Sequence, residues 1–327
     1  MKKLIIFFGL LMVIVTLIVP QKGSTAEKAE KVILGNLTAD ETMFAFYLAV
    51  KNGYFEKEGI VIEKRTFVNG PSLMMAMANG ELNMGISAGF PPLLQAAAQG
   101  VDFKTLLSMT KGSCPVIAAA HIKDFKDLND KVVGDTGLGT LQNTMLSIAV
   151  KKYGIKFKKL IHAKVTDLPV FLEKGEIDGF SSWEWVAADT VYRVKGAHYV
   201  LKWPVIDNPE CNAMTAYGKF YRENPDVVKR FMRAYLRGVK FYKENRKDLP
   251  SLLAEMYSRP KEMIQMALEN LSVEDPNINL PSVKLMLEDA LEAGRIKKEA
   301  VPDIDAFLKS FIDKTFLKEV RQEVGLK

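Results

Sequence analysis

The stretch from Leu172 to Trp185, LEKGEIDGFSSWEW, predicts the end of a helix, a tight turn and a short buried strand. Met77 to Ser87, MANGELNMGIS, repeats its central pattern, because Gly-Glu-Leu-Asn aligns with Gly-Glu-Ile-Asp. In both copies an apolar helix precedes Gly80 or Gly175, and glycine just past a helix favours a left-handed cap. Two such units indicate two similar α/β lobes. Because ligands bind beyond the C-terminal ends of parallel strands, we expect a binding cleft between the lobes.

Length and composition support two globular domains. The chain has 327 residues, which is long for one ordinary core and comfortable for two. Hydrophobic residues make up 48% of it and charged residues 26%, as in folded rather than disordered proteins. The formal net charge of +6 is weak and spread along the predicted helices. We therefore expect no nucleic-acid partner.

The N-terminus has the pattern of an export signal. Lys2 and Lys3 precede an uncharged apolar run from Leu4 to Val19, and Ser24-Thr25-Ala26 provides small residues for cleavage. We expect residues 1–26 to be a signal peptide that is removed after Ala26, and the mature protein to be periplasmic. No cysteine lies near this site, so a lipoprotein is not expected. The alternative is an uncleaved membrane anchor, since the apolar run is just below spanning length.

Strands and helices alternate along most of the chain. The pattern predicts strands over 31–37, 59–68, 82–87 and 103–109, then 131–135, 157–163 and 198–202, with a helix over 183–195. A strand at 212–217 and a long helix from 225 to 245 follow, and the remainder is helical. We expect a discontinuous first lobe over 27–115 and 211–327, onto which the helical tail packs. The second lobe is expected over 116–210.

Five segments carry a family resemblance. They are LAVKNGYFEKEGIVIE from Leu48, the NGELNMGIS turn, DLNDKVVGDTGLGTLQNTMLSIAVKKYGI from Asp127, the LEKGEIDGFSSWEW stretch, and FYRENPDVVKRFMRAYLRG from Phe220. Together they resemble periplasmic substrate-binding proteins of ABC transporters, in the nitrate/sulfonate/taurine and thiamine-pyrimidine-precursor-like (NMT1/THI5-like) group. The resemblance implies an α/β, two-lobed periplasmic-binding-protein fold of type II. It also implies two crossover hinge strands, a helical C-terminal tail on the first lobe, and closure of the lobes on a small molecule.

Loops that follow predicted strands supply the candidate ligand-binding residues. The glycine-rich loop from Thr136 to Thr140 opens a helix, whose free N–H groups and dipole suit an anion. Trp183 could form an aromatic wall, and Glu184 could accept a hydrogen bond from an amine. The full candidate set is Thr38, Asp40, Gly70, Ser72, Ser87, Ala88, Gly89, Thr136, Gly137, Gly139, Thr140, Trp183 and Glu184.

Structural alternatives exist for the three most distinctive candidates. A GxG after a strand often makes only a tight turn, and tryptophan is commonly a core residue. Glu184 could be a favourable acid in the first turn of a helix.

The cysteines and histidines show no metal-binding pattern. Cys114 and Cys211 lie in no CxxC or His-Cys cluster, and the three histidines are far apart, so we expect no metal and no cofactor. In the implied architecture both cysteines lie where the chain crosses between lobes, on strands that run side by side. We therefore expect them to be close, and in an oxidising compartment they could form a disulfide. The alternative is two independent buried thiols.

Two classes of function remain open at this point. The first is a monomeric solute receptor that captures a small organic anion, such as a sulfonate or carboxylate, or else a pyrimidine-like heterocycle. It would deliver this ligand to an ABC permease in the inner membrane. The second is an enzyme on the same scaffold, resembling desulfinases, dehydratases or pyrimidine-synthesis enzymes, with Cys114, or Glu184 and Asp135, as reactive groups. In the sequence no histidine accompanies these groups at a telling position, and the export signal favours capture, so we expect no catalytic residues.

Overall fold

A computed structural model describes residues 29–40, 43–202 and 209–326 of the chain. Within these ranges, two β-sheets form the centres of two α/β lobes. The predicted signal peptide over 1–26 lies outside the described residues. Across the described ranges, every helix is too short or too polar to cross a membrane.

The first sheet has six strands and is mixed. In spatial order its strands are β11 (Leu271–Ser272), β4 (Phe103–Gly112), β10 (Glu210–Tyr217), β3 (Met84–Gly85), β1 (Glu30–Leu37) and β2 (Ile60–Phe67). Strands β2, β1 and β3 are parallel, whereas β10 is antiparallel to both β3 and β4.

The second sheet has five strands and repeats this arrangement. Its order is β7 (Lys159–His162), β6 (Val132–Asp135), β8 (Gly179–Ser181), β5 (Val116–Ala118) and β9 (His198–Leu201). Strands β7, β6 and β8 are parallel, and β5 is antiparallel to its two neighbours β8 and β9. Each lobe therefore combines three parallel strands with an antiparallel strand that joins the lobes.

Helices cover both sheets and make up most of the C-terminal tail. They are α1 (Phe44–Lys51), α2 (Tyr54–Lys57), α3 (Gly70–Ala78), α4 (Phe90–Ala98), α5 (Leu141–Tyr153), α6 (Leu168–Glu173), α7 (Val186–Arg193), α8 (Gly218–Glu223), α9 (Pro225–Glu244), α10 (Leu249–Tyr257), α11 (Lys261–Glu269), α12 (Leu280–Glu292), α13 (Ile304–Phe311) and α14 (Thr315–Val324). Short 3₁₀ turns cover Phe125–Leu128 and Lys298–Ala300.

The repeated Gly-Glu-Leu-Asn and Gly-Glu-Ile-Asp turns have the same hydrogen bonds in both lobes. Gly80 and Gly175 are both left-handed, each with φ of 71°. The Asn83 side chain accepts the N–H of Ile33 in β1 at 2.8 Å. The Asp178 side chain likewise accepts the N–H of Val132 in β6 at 3.0 Å. The sequence repeat thus anchors the turn before β3 or β8 to the neighbouring parallel strand.

Two antiparallel strands connect the lobes. Strand β4 leads from the first sheet towards β5 in the second, and β10 begins the return to the first sheet. They pair side by side, with Lys111 opposite Glu210, and the N–H of Gly112 donates to the Pro209 carbonyl at 2.8 Å. The predicted crossover hinge strands are confirmed.

The helical tail packs on the first lobe and also contacts the second. Helix α9 buries an apolar face, and Phe231 packs against Phe55 with ring centroids 4.8 Å apart. On the second lobe, Lys151 of α5 pairs with Asp289 of α12 at 2.9 Å. The predicted packing of the tail on the first lobe is confirmed, and this ion pair also brings α12 into contact with the second lobe.

Element bounds differ from the predicted ones at two places near the cleft. The predicted strand 82–87 is reduced to Met84–Gly85, because Ser87 adopts a left-handed φ of 69° that ends the extended backbone. The predicted helix 183–195 begins only at Val186, because Trp185 has a φ of 91° and cannot be helical. Both departures leave irregular backbone at the carboxyl end of a parallel strand.

We expect Asn83→Ala to lower the free energy of unfolding by about 1–3 kcal/mol, because the Ile33 N–H would lose its acceptor. Asn79→Ala is the matched control, since Asn79 is exposed at the end of α3. Urea denaturation of both variants measures the difference. Equal effects would show that the turn does not depend on the side-chain bond.

Candidate functional site

A cavity lies between the two lobes at the carboxyl ends of their parallel strands. Its atom-free space, part of it continuous with solvent, is about 450 Å³, and only about 30 Å³ of this admits the centre of a water molecule. The lobes are therefore close together around a narrow site. Its lining residues are Leu37, Asp40, Met43, Asn69, Gly70, Ser87, Gly89, Pro92, Thr140, Leu141, Gln142, Trp183 and Asn212.

Six of the predicted ligand-binding residues line this cavity. They are Asp40, Gly70, Ser87, Gly89, Thr140 and Trp183. The other seven, Thr38, Ser72, Ala88, Thr136, Gly137, Gly139 and Glu184, are not lining residues. Sequence reasoning missed Asn69, Leu141 and Gln142, which adjoin predicted loops and were accessible as neighbours in sequence. Met43 and Asn212 carried no such signal.

Helix α5 directs its N-terminus at the cavity from the second lobe. Thr140 caps it: its hydroxyl accepts the Asn143 N–H at 3.3 Å and its carbonyl accepts the Thr144 N–H at 3.1 Å. The N–H groups of Leu141 and Gln142 donate to no acceptor among the described residues, as expected in the first turn of a helix. Both residues line the cavity. These donors and the helix dipole suit an anionic group.

Helices α3 and α4 also begin at the cavity, from the first lobe. Asn69 caps α3 by accepting the Ser72 N–H at 3.1 Å. Helix α3 has a proline at its second position and α4 has two in its first turn, and proline has no N–H to donate. The first lobe therefore contributes two helix dipoles but few donors, and α5 is the richer source of N–H groups.

Asp40 is the acidic residue among the described residues that line the cavity. Tyr47 donates its hydroxyl to Oδ1 at 2.6 Å, and Ser87 donates its hydroxyl to Oδ2 at 2.6 Å. Ser87 and Ala39, the residue before Asp40, both have left-handed backbone, with φ of 69° and 55°. Such backbone is uncommon for residues other than glycine and is concentrated at binding sites.

The glycine-rich loop of the second lobe is held from behind. Asp135 is fully buried, and its carboxylate accepts the Gly137 N–H at 2.9 Å and the Asn143 side-chain amide at 2.7 Å. His162 contacts the same carboxylate at 2.5 Å. Asp135 thus stabilises the loop and the start of α5 through these hydrogen bonds, and it does not line the cavity.

Direct contacts join the lobes across the cavity. The Trp183 indole N–H donates to the Ala39 carbonyl at 2.9 Å. A Cβ on Gly139 would lie 2.8 Å from the Gln95 amide, and a Cβ on Gly89 would lie 2.8 Å from Leu141. At Gly89 a side chain would collide with the base of the Leu141 side chain, and at Gly139 the φ of 73° favours glycine, so both glycines suit the close approach of the lobes.

Glu184 lies on the opposite side of the chain from Trp183, in the buried hinge region. Its carboxylate accepts the Asn270 amide at 2.8 Å and the Tyr199 hydroxyl at 3.3 Å. These two bonds hold the Glu184 side chain against β9 and the tail, whereas the Trp183 side chain lines the cavity. Burial raises the pKa of Glu184 to about 8, although the hydrogen bonds from Asn270 and Tyr199 act in the other direction.

Cys114 and Cys211 are both buried, and their thiols are close enough to interact. Gln142, which lines the cavity, donates to Cys114 Sγ at 3.5 Å, so the pair lies directly beneath the site. Burial, and then the neighbouring Cys211, raise the pKa of Cys114 well above its ordinary value. The expected proximity is present, and the disulfide itself stays a prediction.

We expect the denatured, unreduced protein to have no free thiols when it is isolated from an oxidising compartment, and two after reduction. The bond would form by exchange with a disulfide oxidant before burial suppresses the thiolate. A thiol titration in denaturant measures this, and Cys211→Ser, with one free thiol, is the control. Two free thiols without reduction would contradict the bridge.

The raised pKa of Glu184 predicts a pH dependence of stability. In the unfolded chain a glutamate ionises near about pH 4.3, whereas in the fold Glu184 keeps its proton up to about 8. The native state therefore binds more protons over this window, and the free energy of unfolding falls as pH rises.

We expect Glu184→Gln to flatten the decline in Tm between about pH 5 and 8, because glutamine keeps a hydrogen-bonding group and cannot ionise. Thermal unfolding at several pH values tests this, with Glu223→Gln on the exposed end of α8 as control. A variant that keeps the wild-type slope would show that Glu184 is not the titrating group.

The groups considered for catalysis do not come together. Cys114, Asp135 and Glu184 all lie outside the cavity lining. Within the described ranges, no three histidine, cysteine, aspartate or glutamate residues are grouped so that they could hold a metal ion. The described residues of the cavity present backbone donors, polar side chains and the Asp40 carboxylate, an arrangement suited to binding a small molecule.

Solved structures share this architecture. The ligand-binding component of an ABC-type import system from Staphylococcus aureus aligns with a TM-score of 0.73 at 17% identity, over 89% of this chain and 99% of that chain. The periplasmic nitrate-binding protein NrtA from Synechocystis PCC 6803 aligns at 0.72 and 14% identity, over 91% and 89%. The periplasmic aliphatic sulphonate-binding protein SsuA from Escherichia coli gives 0.65 and 18%, over 82% and 94%. The chain has a two-lobed periplasmic-binding-protein fold.

The family follows from the sequence match. Residues 41–248 match the family model described as NMT1/THI5 like. This range extends from the start of α1 across both lobes to the start of α10. The chain belongs to the NMT1/THI5-like family.

Curated relatives include binding proteins and one enzyme. A Bacillus subtilis protein described as an aliphatic sulfonates-binding protein is 24% identical over 82% of this chain and 81% of its own length. The taurine-binding periplasmic protein of Escherichia coli is 24% identical over 56% of this chain and 58% of its own. The 4-amino-5-hydroxymethyl-2-methylpyrimidine phosphate synthase of Schizosaccharomyces pombe is 26% identical over 62% of each.

Proposed function

We propose that the protein is a solute-binding protein that captures a small organic anion between its lobes and delivers it to an ABC importer. The observation that carries this is the convergence of three helix N-termini, of α3, α4 and α5, on one narrow interlobe cavity. The anionic group would accept hydrogen bonds from the free N–H groups of Leu141 and Gln142. The organic body would pack against Trp183, Leu37 and Met43.

The class of ligand follows from the chemistry of the lining. A sulfonate or carboxylate matches backbone N–H donors at a helix N-terminus, and the similarity to the sulfonate-, taurine- and nitrate-binding proteins points to the same kind of group. The small space favours a ligand of few atoms. We propose that the six predicted residues that line the cavity contact this ligand.

An enzyme is the second candidate, because one relative is named as a pyrimidine phosphate synthase. Such an activity would need a nucleophile or an acid–base pair in contact with the substrate. Cys114 is separated from the cavity by Gln142, and Glu184 is buried against Asn270. These positions favour binding over turnover, and a pyrimidine-like heterocycle remains an alternative ligand.

The cellular setting forms part of the proposal. The predicted signal peptide over 1–26 would export the chain to the periplasm, where a receptor of this type meets its permease in the inner membrane. We expect the exported protein to act as a monomer, with no nucleic-acid partner. If cleavage follows Ala26, the mass of the exported protein measured by mass spectrometry will match a chain that begins at Glu27.

A thermal-shift panel of sulfonates, carboxylates, nitrate and pyrimidines tests the proposed function. A ligand at a hundred times its Kd adds about 2.7 kcal/mol to the free energy of unfolding, which raises the Tm by several degrees. Mass spectrometry of the ligand after incubation separates the candidates. An unchanged ligand supports a receptor, a consumed one supports an enzyme, and no shift would contradict both.

The donor N–H groups of α5 are tested by replacing Leu141. Leu141→Pro removes one N–H at the first helical position, where proline is compatible with the helix, and Leu141→Ala removes most of the side chain but keeps the N–H. We expect the proline variant to bind the panel's best anion at least about tenfold more weakly than the alanine variant. Titration calorimetry measures the ratio, and equal affinities would exclude this N–H as an anion donor.

A further inference from the structure

Among the described residues that line the cavity, one has a charged side chain, and its charge is negative. Asp40 is 6% exposed, and the other lining residues are neutral. A site built only for an anion would not place a carboxylate beside it, because like charges repel more strongly where water is excluded. The Asp40 carboxylate therefore requires its own explanation.

The hydrogen bonds of Asp40 do not neutralise its charge. Tyr47 and Ser87 each donate one bond, so each carboxylate oxygen can still accept another. Among the described residues, no lysine, arginine or histidine forms an ion pair with Asp40. Lys64 lies 5.3 Å from the centroid of the Tyr47 ring and is not a lining residue. The internal stretches outside the described ranges, 41–42 and 203–208, contain no basic residue either.

A purely structural role as a helix cap is not supported. Asp40 precedes α1, whose cap residue is Met43, and no side-chain cap bond is formed at that end. A buried carboxylate without a cationic partner costs free energy. The left-handed backbone at Ala39 and Ser87 adds to that cost, and it supports the position of Asp40 and its Ser87 donor.

We propose that Asp40 binds a cationic nitrogen of the ligand, so that the physiological ligand is a small zwitterion rather than a simple anion. The inference rests on the proposed receptor function and extends it by naming the second charged group. The anionic end faces the N-terminus of α5 in the second lobe, and the cationic end faces Asp40 in the first. Trp183 borders the cationic end, because its indole N–H donates a hydrogen bond to the carbonyl of Ala39, the residue before Asp40.

This arrangement links charge recognition to closure of the lobes. Each lobe supplies the counter-charge for one end of the ligand, so both ends are satisfied together only when the lobes meet. An anion without a cationic group would leave the Asp40 carboxylate unpaired in the closed cavity. Asp40 therefore acts as a specificity-determining residue that disfavours simple anions.

Titration calorimetry with matched ligand pairs tests the inference on the wild-type protein. Taurine is compared with ethanesulfonate, and β-alanine with propionate, so that each pair differs by one ammonium group. We expect the amine-bearing member of at least one pair to bind about thirtyfold or more tightly, as for a desolvated charge pair. Asp40→Asn should abolish this preference while conserving side-chain shape.

Asp226→Asn is the matched control, because Asp226 is an exposed aspartate of α9 that pairs only with Arg230 among the described residues. It should retain the wild-type preference. Circular dichroism checks that each variant is folded, and the wild-type comparison decides the question even if Asp40→Asn does not fold.

The outcomes separate the inference from the proposed function. Equal or tighter binding of the members without an amine would overturn the role of Asp40 and leave the receptor function standing. Retention of the amine preference in folded Asp40→Asn would also overturn it. If no member of either pair binds, the zwitterion assignment fails, and the receptor function then stands only if nitrate, another simple anion or a pyrimidine binds in the thermal-shift panel.

Discussion

The antiparallel pairing of β4 with β10 is the constraint on which the rest of the structure depends. β4 leads out of the first lobe and β10 leads back into it, and their pairing extends to Lys111 and Glu210 at the end nearest the second lobe. The buried Glu210 lies opposite Lys111 in this pair and accepts the Asn279 N–H of the tail at 2.6 Å. Burial raises the pKa of Glu210 to about 7. A hydrogen-bonded ribbon of this kind resists sliding of the lobes and allows them to bend towards each other.

Polar groups fasten the tail to this hinge and to both lobes. Asn270 donates its amide to Glu184, and its carbonyl accepts the Ser113 N–H at 2.9 Å. Trp185 packs against Tyr257, and Arg259 lies 5.2 Å from the Trp185 ring. Since buried polar groups are costly unless paired, these contacts favour one arrangement of the tail. The hinge is thus supported by the tail on the side away from the cavity.

Local chemistry explains what the sequence could reveal. Each repeated turn contains both the glycine cap, Gly80 or Gly175, and the residue that bonds back to the neighbouring strand. The sequence alone therefore predicts these turns, without knowledge of the fold. Trp183 lines the cavity, as its position after a parallel strand predicts, and its contact with a ligand stays a prediction. Glu184 does not line the cavity, because the direction of its side chain depends on irregular backbone at Trp185 that the sequence does not reveal. Asn212 reaches the cavity only through pairing with a distant segment, for which a single sequence offers no signal.

The second sheet begins and ends at neighbouring strands. Its first strand, β5, pairs with its last, β9, and Val116 lies opposite Leu201. Paired strands are about 4.8 Å apart, so the whole segment between them enters and leaves through adjacent points. Topologically it is an insert whose two ends meet. Its length and loops can therefore change during evolution, or be exchanged between homologues, without altering the register of the strands that carry it.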